Sequence, residues 1–141
     1  MTRRRFSAIL LFTPVAAIAA EGRATVTGRL QTSTGGPVQL KTQDGKLITL
    51  EGDISTTAVL RDPRVIREHF EAAGEWKSPG LFLIDPIHRK ALFIRRNAEL
   101  LVITYWCEIC AIRTYAPGRC QCCQDETALD PRDPALENTA P

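Results

Sequence analysis

The chain has 141 residues, 44% of them hydrophobic and 6% aromatic, with 18 basic against 16 acidic side chains. That is enough apolar material for one compact domain, and the balanced charge excludes a polybasic binder of nucleic acid or anionic membrane. All five cysteines fall between positions 107 and 123, a clustering that even scatter would not produce, so they share one task.

Thr2-Arg3-Arg4-Arg5-Phe6 opens the chain, Phe6 to Ala20 carries no charge, and Ala17-Ile18-Ala19 places small residues at a cut site. A basic start, a short apolar middle and a small-residue end predict a signal peptide over residues 1–19. The apolar run is shorter than the roughly 20 residues a membrane span requires, and no cysteine lies near the cut to take a lipid. Thr2, Arg3, Arg4 and Phe6 also resemble a twin-arginine export signal (Tat), although a basic start serves the general secretory route (Sec) equally well. Without residues 1–19 the charge falls to −1, so the positive balance belongs to the leader. The expected mature chain is periplasmic or secreted, with no stable membrane insertion and no nucleic-acid partner. The pairs Arg89-Lys90 and Arg95-Arg96 read as parts of a solvated face.

Residues 20–106 predict a small β domain. Ala24, Val26, Gly28 and Leu30 alternate with polar neighbours, as in a half-buried strand. Val38 and Leu40, the Asp44-Gly45 turn, and Ile48 and Leu50 spell a β-hairpin. Ser55 to Leu60 predicts a helical turn capped by Asp53 or Ser55, which Pro63 stops or bends. A strand over His69–Trp76, another over Leu81–Ile84, a third over Ala91–Arg95 and a fourth over Leu100–Trp106, whose apolar run Leu100–Thr104 reads as central, follow. About seven short strands with a helical piece in mid-chain point to a mainly β fold, an OB-like barrel or a sandwich.

Residues 107–124 predict a cysteine-rich, zinc-ribbon- or knuckle-like loop. Cys107/Cys110 and Cys120/Cys123 form two Cys-x-x-Cys pairs nine residues apart, and Pro117-Gly118 supplies a turn that swings the second onto the first. Two such turns close a tetrahedron around a borderline or soft cation, so the predicted metal ligands are Cys107, Cys110, Cys120 and Cys123, with Zn2+ as the expected ion and Cu+ or Fe as alternatives. Cys122 is a spare thiol or an extra ligand. Two other readings stay open: disulfides, which an exported chain favours but an odd cysteine count and the adjacent Cys122-Cys123 disfavour, and a thiol–disulfide redox pair at Cys107/Cys110. Redox chemistry of the thioredoxin kind needs a helix after the motif, and only Ala111 to Ala116 separate it from Pro117.

Tyr105, Cys107, Pro117, Gly118, Cys120 and Cys123 resemble the short heavy-metal-binding domain of bacterial copper and heavy-metal efflux proteins. The likeness covers roughly 20 residues and implies metal binding. Cys110 stands where that family has His, Glu108 and Gln121 replace its two prolines, and Gln124-Asp125 replaces its Gly-Met. An all-thiolate set of this kind suits zinc at least as well as copper.

No acid/base pair, phosphate loop or nucleophile motif occurs, and His69 and His88 have no partner near them in sequence. A closed four-thiolate site leaves no position for an activated water, so the expectation is a non-enzymatic protein. Residues 125–141 hold five acids, one Arg and three Pro without an apolar face, and disorder is expected there.

Overall fold

The computed structural model describes residues 23–137. The signal peptide expected over residues 1–19 lies outside the described residues, as do residues 138–141.

Strand β1 (Ala24–Gln31) buries Val26, Gly28 and Leu30 and exposes the residues between them, as its period of two dictates. β2 (Val38–Lys41) and β3 (Leu47–Glu51) form the expected hairpin, paired Val38 to Leu50 and Lys41 to Leu47, with Gly45 at φ 87° in the turn. Helix α1 (Ile54–Leu60) is capped by Asp53, whose carboxylate accepts from the Thr56 N–H at 2.7 Å. Pro63 does more than stop it: with Asp62 as cap it begins a second helix, α2 (Pro63–Ile66), where a missing N–H costs nothing. The strand expected over His69–Trp76 is the long strand β4 (His69–Ser78), and β5 is Leu81–Ile84.

These five strands close in the order β1-β2-β3-β5-β4-β1, with β3 and β5 parallel and the helices inserted between β3 and β4. The result is a closed, OB-like barrel. Its core gathers Leu30, Leu40, Phe70, Phe82 and Ile84 from the strands and Val59, Leu60 and Val65 from the helices.

Closure of so small a barrel requires two strands to change partners along their length. β1 pairs with β4 up to Gly28 and with β2 from Arg29. On its other edge, β4 pairs with β6 (Leu92–Arg96) up to Ala72 and with β5 from Gly74. A glycine sits at each switch because backbone passes close by: a Cβ on Gly28 would lie 2.2 Å from the Lys41 carbonyl oxygen, and one on Gly74 2.1 Å from that of Leu83. Gly74→Ala is therefore expected to cost about 1–3 kcal/mol, read as a lower urea midpoint, whereas Gly80→Ala, in open space, should leave the midpoint unchanged.

Beyond the barrel, β6 and β7 (Glu99–Val102) form a hairpin on β4, joined by a turn in which Asn97 and Ala98 both have positive φ. The expected strand Leu100–Trp106, with Leu100–Thr104 as its central part, is two strands. β7 ends at Val102 and is the outermost strand of its sheet, while β8 (Tyr105–Cys107) belongs to a second sheet of order β10-β8-β9, with β9 at Ile112–Thr114 and β10 at Ala128–Leu129. Ile103 and Thr104 between them are buried without being strand: Ile103 joins the main hydrophobic cluster and donates its N–H to the Leu92 carbonyl, and Thr104 bonds to Asp130 of the chain that follows.

That following chain corrects the expectation of disorder over 125–137. Arg132 bridges to Val102 through two backbone hydrogen bonds, the Asp130 N–H donates to the Thr104 carbonyl, and a short helix α3 (Pro134–Glu137) ends the described chain. Ion pairs hold it there in place of an apolar face: Glu137 meets Arg132 at 3.1 Å and Lys90 at 3.5 Å and accepts from the Tyr115 hydroxyl. The other basic pair, Arg95 and Arg96, is neutralised by Glu71 and Glu68. Among the described residues no helix is long and apolar enough to cross a membrane.

Candidate metal centre

The two cysteine pairs sit at the tips of two tight hairpins. In the first, β8 and β9 pair Cys107 with Ile112, and the reversal occupies Glu108 to Ala111. In the second, Gly118 accepts from both the N–H and the hydroxyl of Thr127, Arg119 bridges to Glu126, and the Cys120 N–H donates to Asp125, so Cys120–Cys123 forms the turn. The residue after each pair, Ala111 at φ 53° and Gln124 at φ 65°, is left-handed. That conformation costs a non-glycine side chain energy, and it recurs at equivalent places in both tips because each chain must fold back sharply around its sulfurs.

The tips face each other. One sulfur from each of Cys107, Cys110, Cys120 and Cys123 lies within 4.8 Å of every other. Zinc–thiolate bonds of about 2.3 Å place tetrahedral sulfurs about 3.8 Å apart, so these four already stand near the required spacing. Cys107 and Cys123 are 3.5 Å apart, beyond a covalent S–S bond of roughly 2.05 Å, and all five cysteines are free. Cys107 and Cys120 are each 2% exposed, Cys110 and Cys123 are half-buried, and Cys122 is exposed. Neither His69 nor His88 joins the cluster.

The backbone prepares the second tip for negative charge. Hydrogen bonds from the Cys123 and Cys122 N–H groups pull the Cys120 thiol down to about 7, assisted by the Cys107 and Cys123 thiols. The neighbours move the other way. Hydrogen bonding with Cys122, then burial, pushes the Cys110 thiol up. At Cys123 the Asp125 N–H pulls the thiol down, but burial and hydrogen bonding with Cys107 and Cys120 outweigh it. One thiolate is thus favoured while adjacent thiols hold their protons against it. A divalent cation reverses that balance, since four thiolates around it need no protons.

The chain shows no significant match to any family model, curated protein or solved structure. The donor set itself carries the functional reading. Four cysteine sulfurs converge, and they form a cluster able to hold a metal ion.

Several residues that build this centre carried no motif. Arg113 on β9 lays its guanidinium 4.7 Å from the Trp106 ring centroid and donates to Thr104 Oγ1 at 2.6 Å and to Asp130 at 2.7 Å, tying β8, β9 and the returning chain together. Trp106 is therefore packed beneath this arginine. Arg64 on α2 reaches the Thr127 carbonyl at 3.0 Å, linking the barrel to the second tip. The redox geometry is not assembled: Cys107 is buried, and strand β9 rather than a helix follows Cys110.

Proposed function

We propose that the mature protein is an exported, non-catalytic metal-binding protein in which Cys107, Cys110, Cys120 and Cys123 hold one zinc ion on an OB-like barrel. The observation that carries this reading is the mutual approach of four unpaired sulfurs within 4.8 Å, contributed by two separate hairpin tips. A set of four thiolates fills the tetrahedral shell and leaves no position for a substrate or an activated water, which supports a binding role over a catalytic one. Zinc is favoured over Cu+ because the described residues offer no methionine to the site, and over iron because a single divalent ion without redox chemistry suits a site whose outer face is open to solvent. The basic and apolar leader over residues 1–19 supports export, by the twin-arginine or the general secretory route. The likeness to heavy-metal-binding domains of efflux proteins agrees with metal handling as the role.

The test is elemental analysis of protein isolated without added metal, with a count of reactive thiols. One zinc per chain and about one freely reactive thiol is the expected result. No metal, with four cysteines oxidised, would replace this reading by a disulfide framework, and insulin-reductase activity without metal would replace it by redox catalysis.

A further inference from the structure

The change of strand partner at Gly28 has a consequence on the outer face of the barrel. β1 leaves β4 at the pair Gly28–Phe70 and joins β2 at the pair Arg29–Lys41. Arg29 and Lys41 are therefore direct cross-strand neighbours. The residues beside them, Leu30 and Leu40, are buried in the core, so both cations stand outside and are exposed. Side chains paired in this way have Cβ atoms about 4.5–5.5 Å apart, and like charges so placed destabilise a sheet. Elsewhere the fold matches its cations: Arg64, Arg95, Arg96 and Arg113 each have a carboxylate within 3 Å. Among the described residues neither Arg29 nor Lys41 has one. The two open instead on a cleft of about 570 Å³ that they share with His69, Gln31, Thr42 and Gln43 and that no carboxylate lines. The acids near its rim are already engaged. Glu71 holds Arg95 at 2.8 Å, and Asp44 accepts from the Thr42 hydroxyl and faces Lys46 at 3.9 Å.

We propose that Arg29, Lys41 and His69 bind the phosphate group of a small phosphate monoester, whose hydroxylated remainder lies along Gln31, Thr42 and Gln43. Such a group carries about −1.5 to −2 charges at neutral pH and accepts through three oxygens. Set between Arg29 and Lys41, it turns the repulsion of two cations into an attraction felt by both, which the single charge of a carboxylate does only by half. The donors suit it. The Arg29 guanidinium spends one N–H on the Arg67 carbonyl at 3.0 Å, which holds it beside His69, and keeps the rest of its fork for phosphate oxygens. The Lys41 ammonium and an imidazole N–H add donors from β2 and β4. The free charge is confined to this spot, because Arg95, the β6 partner of His69, is already paired with Glu71. That fits one phosphate and not a polyanion, in keeping with the balanced charge of the chain. The cleft is larger than a bare phosphate fills and lies within the roughly 300–1,000 Å³ of small-molecule sites. Its remaining walls offer a hydroxyl and two amides, partners for the hydroxyls of a polyol. The site lies on the barrel and does not depend on the cysteines.

The experiment titrates the full mature chain with glycerol 3-phosphate and follows backbone amide NMR shifts, with inorganic phosphate and glycerol as separate arms. The expected result is a set of shifts confined to the cleft, around Arg29, Lys41 and His69, with the ester bound more tightly than inorganic phosphate and glycerol not bound. Lys41→Gln should weaken binding about tenfold or more. In the absence of ligand the same change should leave the urea midpoint unchanged or higher, because it removes a repulsion between neighbouring strands. Lys46→Gln, whose ammonium already faces Asp44, should leave the affinity unaltered. No shifts in the cleft, equal affinity in Lys41→Gln, or inorganic phosphate bound as tightly as the ester overturns the proposal. So does a lower midpoint in ligand-free Lys41→Gln, which would make Lys41 a packing residue.

Discussion

Cys120→Ser is expected to weaken zinc binding by about a hundredfold or more and to loosen the chain from Tyr105 to Leu129, while the barrel strands keep their protection. The structural reason is that this part has little apolar core of its own. Of its residues only Tyr105 is buried in the main hydrophobic cluster, with Leu129 partly buried against it, and the three strands β8, β9 and β10 are three, three and two residues long. Strands so short cannot offset the entropy of ordering the hairpin tips between them. Structural zinc sites in small peptides supply roughly 10–16 kcal/mol of apparent binding energy, and that energy is folding energy because the unfolded chain has no site. A quarter of it, about 3 kcal/mol, is about a hundredfold in affinity. Cys120 is the ligand to change because it is buried and receives two backbone N–H groups, so a serine there loses the best-prepared thiolate of the four. Amide hydrogen exchange read by region, alongside metal content, checks both halves of the expectation. Unchanged affinity would remove Cys120 from the ligand set, and joint loss of protection in barrel and tips would show that the two parts fold as one unit. A chelator should reproduce the regional pattern in the unaltered chain.

What could be read from the residues before any coordinates follows the range of the forces involved. The β2–β3 hairpin was legible because alternation and the Asp44-Gly45 turn are local, and the two cysteine pairs because a metal's geometry imposes short, fixed spacings. The run Leu100–Trp106 spells a single strand in sequence and forms two, because an apolar stretch reports burial and not the means of burial. Ile103 is buried in the main hydrophobic cluster and Thr104 is bonded to Asp130, neither of which a periodicity within the run reveals. The order of residues 125–137 is hidden from local sequence for the same reason. Their composition lacks an apolar face, and what fixes them is backbone hydrogen bonding to Val102 and Thr104, ion pairs to Lys90 and Arg113, and a hydrogen bond from the Tyr115 hydroxyl, all with residues distant in sequence. Gly28 and Gly74 were visible only as small residues in strands. That each marks a change of strand partner needed the closed barrel.

The link between barrel and metal centre gives the second large effect. Asp62 is 5% exposed and serves several donors: the Arg64 N–H as a helix cap, the Arg64 guanidinium at 2.9 Å, and the Tyr105 hydroxyl at 2.7 Å. Arg64 in turn stands 5.3 Å from the Tyr105 ring centroid and donates to Thr127, the residue that closes the second tip. Asp62→Ala removes the cap and strands a fully buried phenol, and is expected to cost about 3 kcal/mol. Tyr105→Phe leaves Asp62 satisfied by Arg64 and should cost about 1 kcal/mol. A pH series separates the charge from the shape. Burial pushes the Asp62 carboxyl up, but hydrogen bonds from the Arg64 side chain and N–H and from Tyr105 outweigh it and hold it below the ordinary carboxylate value. A folded-state pKa lowered in this way contributes stability that is complete above the unfolded value of roughly 4 and is lost as pH falls through the lower folded value. The urea-midpoint difference between the unaltered chain and Asp62→Asn should therefore stay constant from neutral pH down to about 5 and shrink below 4. Protonation of the cysteine thiolates also weakens the protein in acid, but it acts on both chains and cancels in the difference. A gap that persists undiminished at pH 3 would mean that Asp62 acts through shape and hydrogen-bond count alone, and that its negative charge does not hold Arg64 and the second tip in place.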